Sequence, residues 1–186
     1  MAEIINIEDI QLAKLCSKGD EKARHELYTR YAAYLFALCI RYVGDKELAR
    51  DLMHDAMIKI FDTVGKYKPV GSLKSWCGRV TVNMVIDHLR KSKRMDLQPL
   101  EPTQDKIPEP QTEEVTKVPK QELMRMVGEL PETKRVIFNL YCIEGYSHKD
   151  IAEMLHIKEK TSSSLLFKAR AQLAENVRDY IRRNGL

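Results

Sequence analysis

The sequence is poor in the residues that interrupt regular structure, with 8 glycines and 7 prolines among 186 residues. Short strands joined by tight turns need more of both, so this scarcity argues against a β-sandwich or barrel. Apolar residues make up 44% and charged residues 31%, which suits amphipathic helices with solvated outer faces. We therefore predict an all-α chain, long enough for one ordinary domain or two small ones.

Close cysteine pairs are also missing. The four cysteines are far apart in the sequence and no CxxC motif occurs, so a disulfide scaffold is not indicated. Three of them, Cys39, Cys77 and Cys142, stand in apolar helical patterns, where a free cysteine behaves as a small hydrophobic residue. This usage predicts a reduced, cytoplasmic protein.

Long apolar runs are absent too. The uninterrupted apolar stretches are only a few residues long, whereas a membrane-spanning helix needs about 20. The first ten residues, MAEIINIEDI, are acidic and lack the basic start and apolar run of a signal peptide. Both observations favour a cytoplasmic location.

The motifs of common catalytic sites do not occur: there is no P-loop, no GxSxG and no HExxH. Asp51 and His54 resemble half of a di-iron helix motif, but such a site needs a second acid-x-x-His pair and two further glutamates. The five histidines are scattered without a ligand spacing. We therefore expect no enzyme, no catalytic residue, no metal and no cofactor.

What the chain does have is an uneven distribution of charge around a formal net charge of +4. Residues 79–94 carry five basic and one acidic side chain, and residues 119–186 carry twelve basic and nine acidic ones. Between them, residues 95–118 carry six acidic and two basic side chains and four prolines, without apolar periodicity. We predict an extended acidic linker there. The predicted parts are a helical domain over 1–94, a linker over 95–118 and a second helical domain over 119–186.

Helix signals fill the first domain. Asp20 is predicted to cap a helix over about 21–43 that ends at Gly44, and Asp45 to cap the next, which ends at Gly65. Ser72 opens a third helix over about 73–93, which starts apolar on more than one side and finishes with the basic segment RKSKR.

The second domain contains a helix-turn-helix pattern. A short helix follows Pro119, and another runs from Pro131 toward Gly145. Ser147 and Asp150 then form a capping-box-like start for a third helix. A turn over 156–158 leads into a last helix over about 159–183, whose first turns are polar. Small Ala152 suits a close helix crossing, and Ile157 is predicted to bury the turn. The pattern favours DNA binding.

Two stretches resemble the extracytoplasmic-function (ECF, group 4) sigma factors of bacterial RNA polymerase. Residues 130–173 resemble region 4, with matches that include Leu130-Pro131, Glu144-Gly145, Asp150-Ile151-Ala152 and Ala169-Arg170. Residues 27–94 resemble region 2, with matches that include Ala49-Arg50-Asp51-Leu52, Lys74-Ser75-Trp76 and Asp87-His88-Leu89-Arg90. The two regions occur in the family's order, on either side of the acidic segment.

The resemblance implies a role in transcription initiation with three contact sets. The set for the polymerase core is Asp51, His54 and Asp55. The set for the minus-10 promoter element is Ser72, Lys74, Arg79, Asn83, Arg90, Lys91, Lys93 and Arg94. The resemblance implies that Asn83 and the loop Pro69–Ser75 hold a flipped base, and that the lysines and arginines neutralise phosphates. The set for the minus-35 element is Lys160, Thr161, Ser163, Ser164, Phe167, Lys168 and Arg170.

The partners that the resemblance implies are the RNA polymerase core enzyme, promoter DNA and an anti-sigma factor, which is often membrane-anchored; no small-molecule substrate is expected. The acidic linker suits a basic channel of the core enzyme, and a plain flexible tether is the other interpretation. Trp76 is expected in the core rather than on the DNA.

The sequence departs from the family at the turn and at the recognition helix. Many members have glycine where His156 and Lys160 stand, and a non-glycine residue in the left-handed region costs roughly 1–2 kcal/mol. Many also have a basic residue where Ser163 or Leu165 stands, so the family's promoter sequence is not carried over. Two other hypotheses remain open: a dimeric helix-turn-helix regulator with residues 1–94 as its oligomerisation domain, and a helical adaptor that binds only proteins.

Overall fold

The computed structural model describes residues 7–92 and 115–185, and the regular elements in these ranges are helical. The predicted all-α fold is confirmed. The chain divides into two compact units, residues 1–88 and 89–186. Most of the predicted linker lies outside the described residues, as do the predicted DNA contacts Lys93 and Arg94.

Four helices form the first part of the chain: α1 (Ile7–Ser17), α2 (Glu21–Val43), α3 (Lys46–Thr63) and α4 (Leu73–Lys91). A short 3-10 turn, Val64–Lys66, follows α3. Helices α2, α3 and α4 were predicted from the sequence, but α1 was not. The first helix carries mixed polar and apolar residues, so its amphipathic pattern is weak.

Side-chain caps begin the two central helices of this unit. An Asp20 carboxylate oxygen accepts from the Ala23 N–H at 2.8 Å, and Asp45 accepts from the Leu48 N–H at 2.8 Å. Gly44 ends α2 in the left-handed region at φ 74°. These predicted boundaries are confirmed, because a carboxylate satisfies the first N–H groups of a helix and glycine adopts positive φ without a steric penalty.

The core of the first unit is built mainly by α2 packing on α3, with α1 and α4 contributing buried residues. Cys16, Cys39 and Cys77 are buried, and burial raises the pKa of the Cys39 and Cys77 thiols to about 12. Cys142, in contrast, is exposed. Its prediction as a buried small hydrophobic residue was therefore wrong, because the helix that would have buried it changes its winding.

The second unit contains α5 (Lys120–Gly128), α6 (Glu132–Phe138), α7 (His148–Leu155) and α8 (Glu159–Asn184). A π-helical turn, Asn139–Ile143, continues α6. The sequence predicted one regular helix up to Gly145, and the wider turn rotates the residues that follow it. The Glu144 N–H donates to the Asn139 carbonyl at 3.0 Å, and Gly145 ends the segment at φ 78°.

Buried Arg135 joins α5 to α6. Its guanidinium donates to the carbonyls of Gly128, at 2.8 Å, and Leu130, at 3.3 Å. Burial lowers the pKa of this guanidinium. The buried core residues of this unit include Val136, Ile137, Leu140, Ile151, Leu155 and Ala169. Within residues 7–92 and 115–185, no helix is long and apolar enough to cross a membrane.

Candidate nucleic-acid interface

One face of α3 is exposed and acidic. Asp51, His54 and Asp55 are exposed and lie at positions i, i+3 and i+4, which share one side of a helix. Ile58 continues this face one turn later and is 60% exposed. Ile58 was not among the predicted contacts, although the sequence carried a signal for it: this isoleucine falls outside the buried pattern of Leu52, Ala56 and Ile60.

A short open loop, residues 67–72, precedes α4. The Tyr67 hydroxyl donates to the Gly71 carbonyl at 2.7 Å, and Gly71 adopts φ 108°, which favours glycine. Val70 at the tip is 81% exposed. Ser72 caps α4, since its Oγ accepts from the Ser75 N–H at 3.1 Å. The predicted opening of this helix at Ser72 is confirmed.

The outer side of α4 is polar along its length. Ser75, Arg79 and Asn83 recur every four residues and are all exposed. Lys74 is also exposed, and its ammonium lies over the Tyr34 ring at 4.7 Å from the centroid, a cation–π contact that holds it near the start of the helix. Lys91 is exposed and Arg90 half-buried. The residues of the predicted minus-10 set that the structure describes thus lie at the loop and along the helix that follows it.

Trp76 is half-buried rather than a full core residue. Its ring packs edge-on against Tyr67, with centroids 6.0 Å apart and an interplanar angle of 64°. The prediction that Trp76 lies in the core was therefore only partly right. The contact joins the first residue of the 67–72 loop to the first turn of α4.

The second unit has the predicted helix-turn-helix. Ser147 and Asp150 form a full capping box: the Asp150 N–H donates to Ser147 Oγ at 3.1 Å, and the Ser147 N–H donates to Asp150 Oδ2 at 3.0 Å. The bonds from Ser147 lower the pKa of the Asp150 carboxyl. Ala152 is buried at 8% exposure, as a close helix crossing requires.

The turn between α7 and α8 depends on His156, which is left-handed at φ 55° and ψ 45°. This is the position where the family's members commonly have glycine, and histidine is among the residue types that tolerate the conformation. Ile157 is half-buried, and its N–H donates to the Ala152 carbonyl at 3.0 Å. Lys160, the second departure, is an ordinary helical residue of α8.

The first turns of α8 present the predicted minus-35 residues. Lys160 and Ser163 are exposed, and the half-buried members are Thr161, Ser164, Phe167 and Lys168. Leu165 is buried at 4% exposure, so that position faces the core in this chain and is closed to a base contact. No described side chain caps α8 at Lys158, which leaves the positive end of the helix open to phosphate.

Arg170 belongs to a small group of side chains beside the helix-turn-helix, which we call the Tyr141 cluster (Tyr141, Cys142, His148 and Arg170). The Arg170 guanidinium lies over the Tyr141 ring at 5.9 Å, and Nη2 is 3.8 Å from Cys142 Sγ. The His148 ring stacks on Tyr141 with centroids 4.5 Å apart. Arg170 was predicted from the sequence to contact DNA. In the structure its guanidinium contacts the Tyr141 ring.

In the part of the chain that the structure describes, no group of three or more His, Cys, Asp or Glu side chains is placed to hold a metal ion. The acid-x-x-His pair on α3 is exposed. The surfaces found here are instead an acidic helix face, an open loop with a polar helix, and a helix-turn-helix.

Comparison with known proteins gives a consistent result. The model for "Sigma-70 region 2" matches residues 27–95, and the model for "Sigma-70, region 4" matches residues 120–173. The ECF RNA polymerase sigma factor SigM of Mycobacterium tuberculosis is 30% identical over 169 residues, which cover 89% of this chain and 83% of the relative. SigE of Mycolicibacterium smegmatis is 29% identical over 174 residues, 90% of this chain and 66% of the relative.

Two further similarities cover almost the full length. The ECF sigma-E factor of Escherichia coli K12 is 26% identical over 188 residues, with 95% of this chain and 98% of the relative covered. The solved structure of CnrH in complex with the cytosolic domain of CnrY matches at a TM-score of 0.49 and 18% identity, covering 92% of this chain and 97% of the other. With both sigma-70 regions matched in order, and a 30% identical ECF relative covered over most of its length, this chain belongs to the ECF RNA polymerase sigma factors.

Proposed function

We propose that this chain, an ECF sigma factor, divides its task among three surfaces of the two units. The exposed face of α3 binds the polymerase core, the 67–72 loop with α4 opens the minus-10 element, and the first turns of α8 read the minus-35 element. The observation that carries the proposal is the polar strip of α4, Ser75, Arg79 and Asn83, which begins directly at an open loop.

The proposal is tested by adding the purified chain to core RNA polymerase from the source bacterium. We expect the two to co-purify and to start transcription from a subset of genomic fragments, which sequencing identifies. The chain alone should bind duplex DNA weakly. Tight, repressive binding to a promoter without polymerase would instead indicate the dimeric helix-turn-helix regulator.

The core-binding surface combines charge with one apolar anchor. Asp51, His54 and Asp55 give the α3 face its polar character, and Ile58 adds an exposed aliphatic side chain beside them. Interfaces commonly depend on a few apolar anchors surrounded by polar residues. We therefore add Ile58 to the residues that contact the core enzyme.

This addition makes a specific prediction. Ile58→Asp should weaken core binding by roughly ten-fold or more, since loss of an interface anchor costs on the order of 1–2 kcal/mol, and it should leave the unfolding temperature nearly unchanged because Ile58 is exposed. Fluorescence titration of labelled chain with core enzyme measures the affinity. Leu15→Asp, at a 39% exposed leucine on α1, is the matched control. Equal affinities for the two variants would remove Ile58 from the interface.

The minus-10 surface suits single-stranded DNA. An exposed amide such as Asn83 offers both a donor and an acceptor to the edge of a base, while Lys74 and Arg79 supply positive charge for the backbone. The loop tip at Val70 is apolar and exposed, so an unstacked base can pack against it. Ser72, Arg90 and Lys91 complete the described set, and Lys93 and Arg94 remain predictions.

The minus-35 surface is mostly uncharged. Thr161, Ser163 and Ser164 have short hydroxyl side chains that let the backbone approach DNA, and Lys160 and Lys168 flank them. Phe167 offers an apolar contact of the kind that a thymine methyl accepts. Arg170 reaches DNA only if it leaves the Tyr141 ring, so we expect it to contribute less than the two lysines.

The subclass, the lack of catalytic activity, the cellular location and the control by an anti-sigma factor are proposed from family membership. We propose that the chain is a group 4 member without catalytic activity of its own, that it acts in the cytoplasm with the polymerase, and that an anti-sigma factor controls it. The acidic segment within 95–118 is proposed to connect the two DNA-binding domains through the core enzyme. Co-purification from the source bacterium after crosslinking tests for the anti-sigma factor.

A further inference from the structure

A buried carboxylate connects α1 to the start of α4. Asp9 is only 6% exposed. Its Oδ2 accepts from the Leu73 N–H at 3.2 Å, its Oδ1 accepts from the Tyr31 hydroxyl at 3.4 Å, and the Arg30 guanidinium lies 3.5 Å from the same Oδ1. Leu73 is the first residue of α4 and is 64 positions away in sequence.

This contact is a second cap on α4, because it satisfies the Leu73 N–H and the local cap satisfies another N–H. Ser72 already caps the helix locally through the Ser75 N–H. Burying a carboxylate is costly unless hydrogen bonds and opposite charge compensate it, and here a helix N-terminus and Arg30 supply both. Burial, followed by the Asp9 charge, raises the pKa of Tyr31 to about 12, so the hydroxyl remains a donor. The first turn of α4 is therefore held by two different elements.

The consequence falls on the loop that precedes α4. The bond from the Tyr67 hydroxyl to the Gly71 carbonyl joins the first residue of the 67–72 loop to a residue near its end, and Asp9 holds Leu73, directly after the loop. Val70, between the two, is 81% exposed. A loop held at both ends loses little conformational entropy when it binds, so its affinity for a ligand is higher.

We infer that Asp9 is a positioning residue for promoter opening, which fixes the first turn of α4 and so keeps the 67–72 loop in the shape that receives an unstacked base. The inference rests on the proposed function of that loop. Asp9 itself is buried and does not touch DNA; it acts through Leu73. Helix α1 thus has a role beyond packing, although the sequence pattern did not identify it.

The test compares alanine variants of three helix-capping aspartates in the full chain bound to core enzyme. Asp9→Ala removes the long-range cap, whereas Asp20→Ala and Asp45→Ala remove the local caps of α2 and α3 and serve as matched controls. Three quantities are measured for each: affinity for core, permanganate reactivity of unpaired thymines in a duplex promoter that the wild-type holoenzyme opens, and transcription from the same promoter with a pre-melted bubble.

We expect Asp9→Ala to reduce the opened fraction by roughly ten-fold, the equilibrium change that one capping interaction represents, with core affinity and bubble transcription close to wild type. Both control variants should open the duplex normally. Asp9→Asn keeps an acceptor oxygen for the Leu73 N–H and should recover part of the opening.

Each other outcome has a definite meaning. If Asp9→Ala opens the duplex as the controls do, the inference is wrong and the proposed function stands. If Asp9→Ala loses core binding, bubble transcription and opening in parallel, Asp9 serves the fold alone and the inference is again wrong. If the wild-type holoenzyme opens no DNA fragment from its own genome, the proposed function fails together with the inference.

Discussion

At the scale of single residues, His148 shows how packing sets a charge state. Its ring stacks on Tyr141, and its Nδ1 lies 2.9 Å from the Oγ of buried Ser162. Burial lowers the pKa of His148 below the ordinary value of 6.5, and nearby Arg170 lowers it further, while Glu159 acts in the opposite direction. The neutral ring is therefore the form that the second unit favours.

This lowered pKa predicts a pH-dependent stability. A histidine with a lower pKa in the folded than in the unfolded state takes up a proton on unfolding, so its contribution is complete above 6.5 and is lost as the pH falls from there through the folded pKa. NMR titration of the His148 ring and thermal melts at several pH values measure it.

The comparison variants for this prediction are His148→Gln, which should remove that part of the pH dependence, and His25→Gln, at an exposed histidine on α2, which should retain it. A ring that titrates at or above the ordinary value would contradict the burial argument. Unchanged pH dependence in His148→Gln would assign the effect to other groups.

At the scale of elements, a tyrosine side chain of α2 lies against α4 at one glycine. A Cβ built on Gly78 would lie 2.6 Å from the Tyr34 hydroxyl oxygen and 3.5 Å from the ring carbon that carries it. The same Tyr34 ring holds Lys74. Gly78 therefore allows a tyrosine to stand between the two helices, next to the polar strip of α4.

A double-mutant cycle tests this contact. Gly78→Ala should destabilise the wild-type chain or fail to stabilise it, because the ring must shift, whereas in a Tyr34→Phe background it should stabilise by about 1 kcal/mol, the helix propensity gain of alanine over glycine. Denaturant unfolding monitored by circular dichroism measures both effects. The coupling free energy between the two substitutions should be roughly 0.5–2 kcal/mol. Additive effects would show that the hydroxyl is not the obstacle.

At the scale of the whole molecule, promoter binding should depend strongly on salt, because both units offer cations to phosphate. For duplex DNA, the slope of log K against log salt changes by about 0.9 for each phosphate contact. Lys168→Ala and Arg79→Ala in the holoenzyme should each make the slope shallower by up to about 1. Lys18→Ala, at an exposed lysine between α1 and α2, should not. A slope that neither variant changes would remove these two residues from the phosphate contacts.

Much of the helical architecture was determined by the sequence alone. The caps at Asp20, Asp45 and Ser72, the stop at Gly44 and the capping box at Ser147 are local signals, because each depends on residues within one turn of the helix end. Amphipathic periodicity likewise determined the faces of α2, α3 and α8. The resemblance to the ECF sigma factors, which the comparisons confirm, rests on the same short-range motifs.

Only the tertiary structure decided which side chains meet across the chain. Asp9 caps a helix from 64 positions away, and Tyr34 requires a glycine at position 78. No local pattern encodes these two pairings. The exposure of Cys142 at the π-helical turn was likewise not evident from the sequence. Periodicity predicts that a helix has an apolar side, but it does not identify the element that packs against that side. Contacts between residues far apart in the sequence depend on how the whole unit packs.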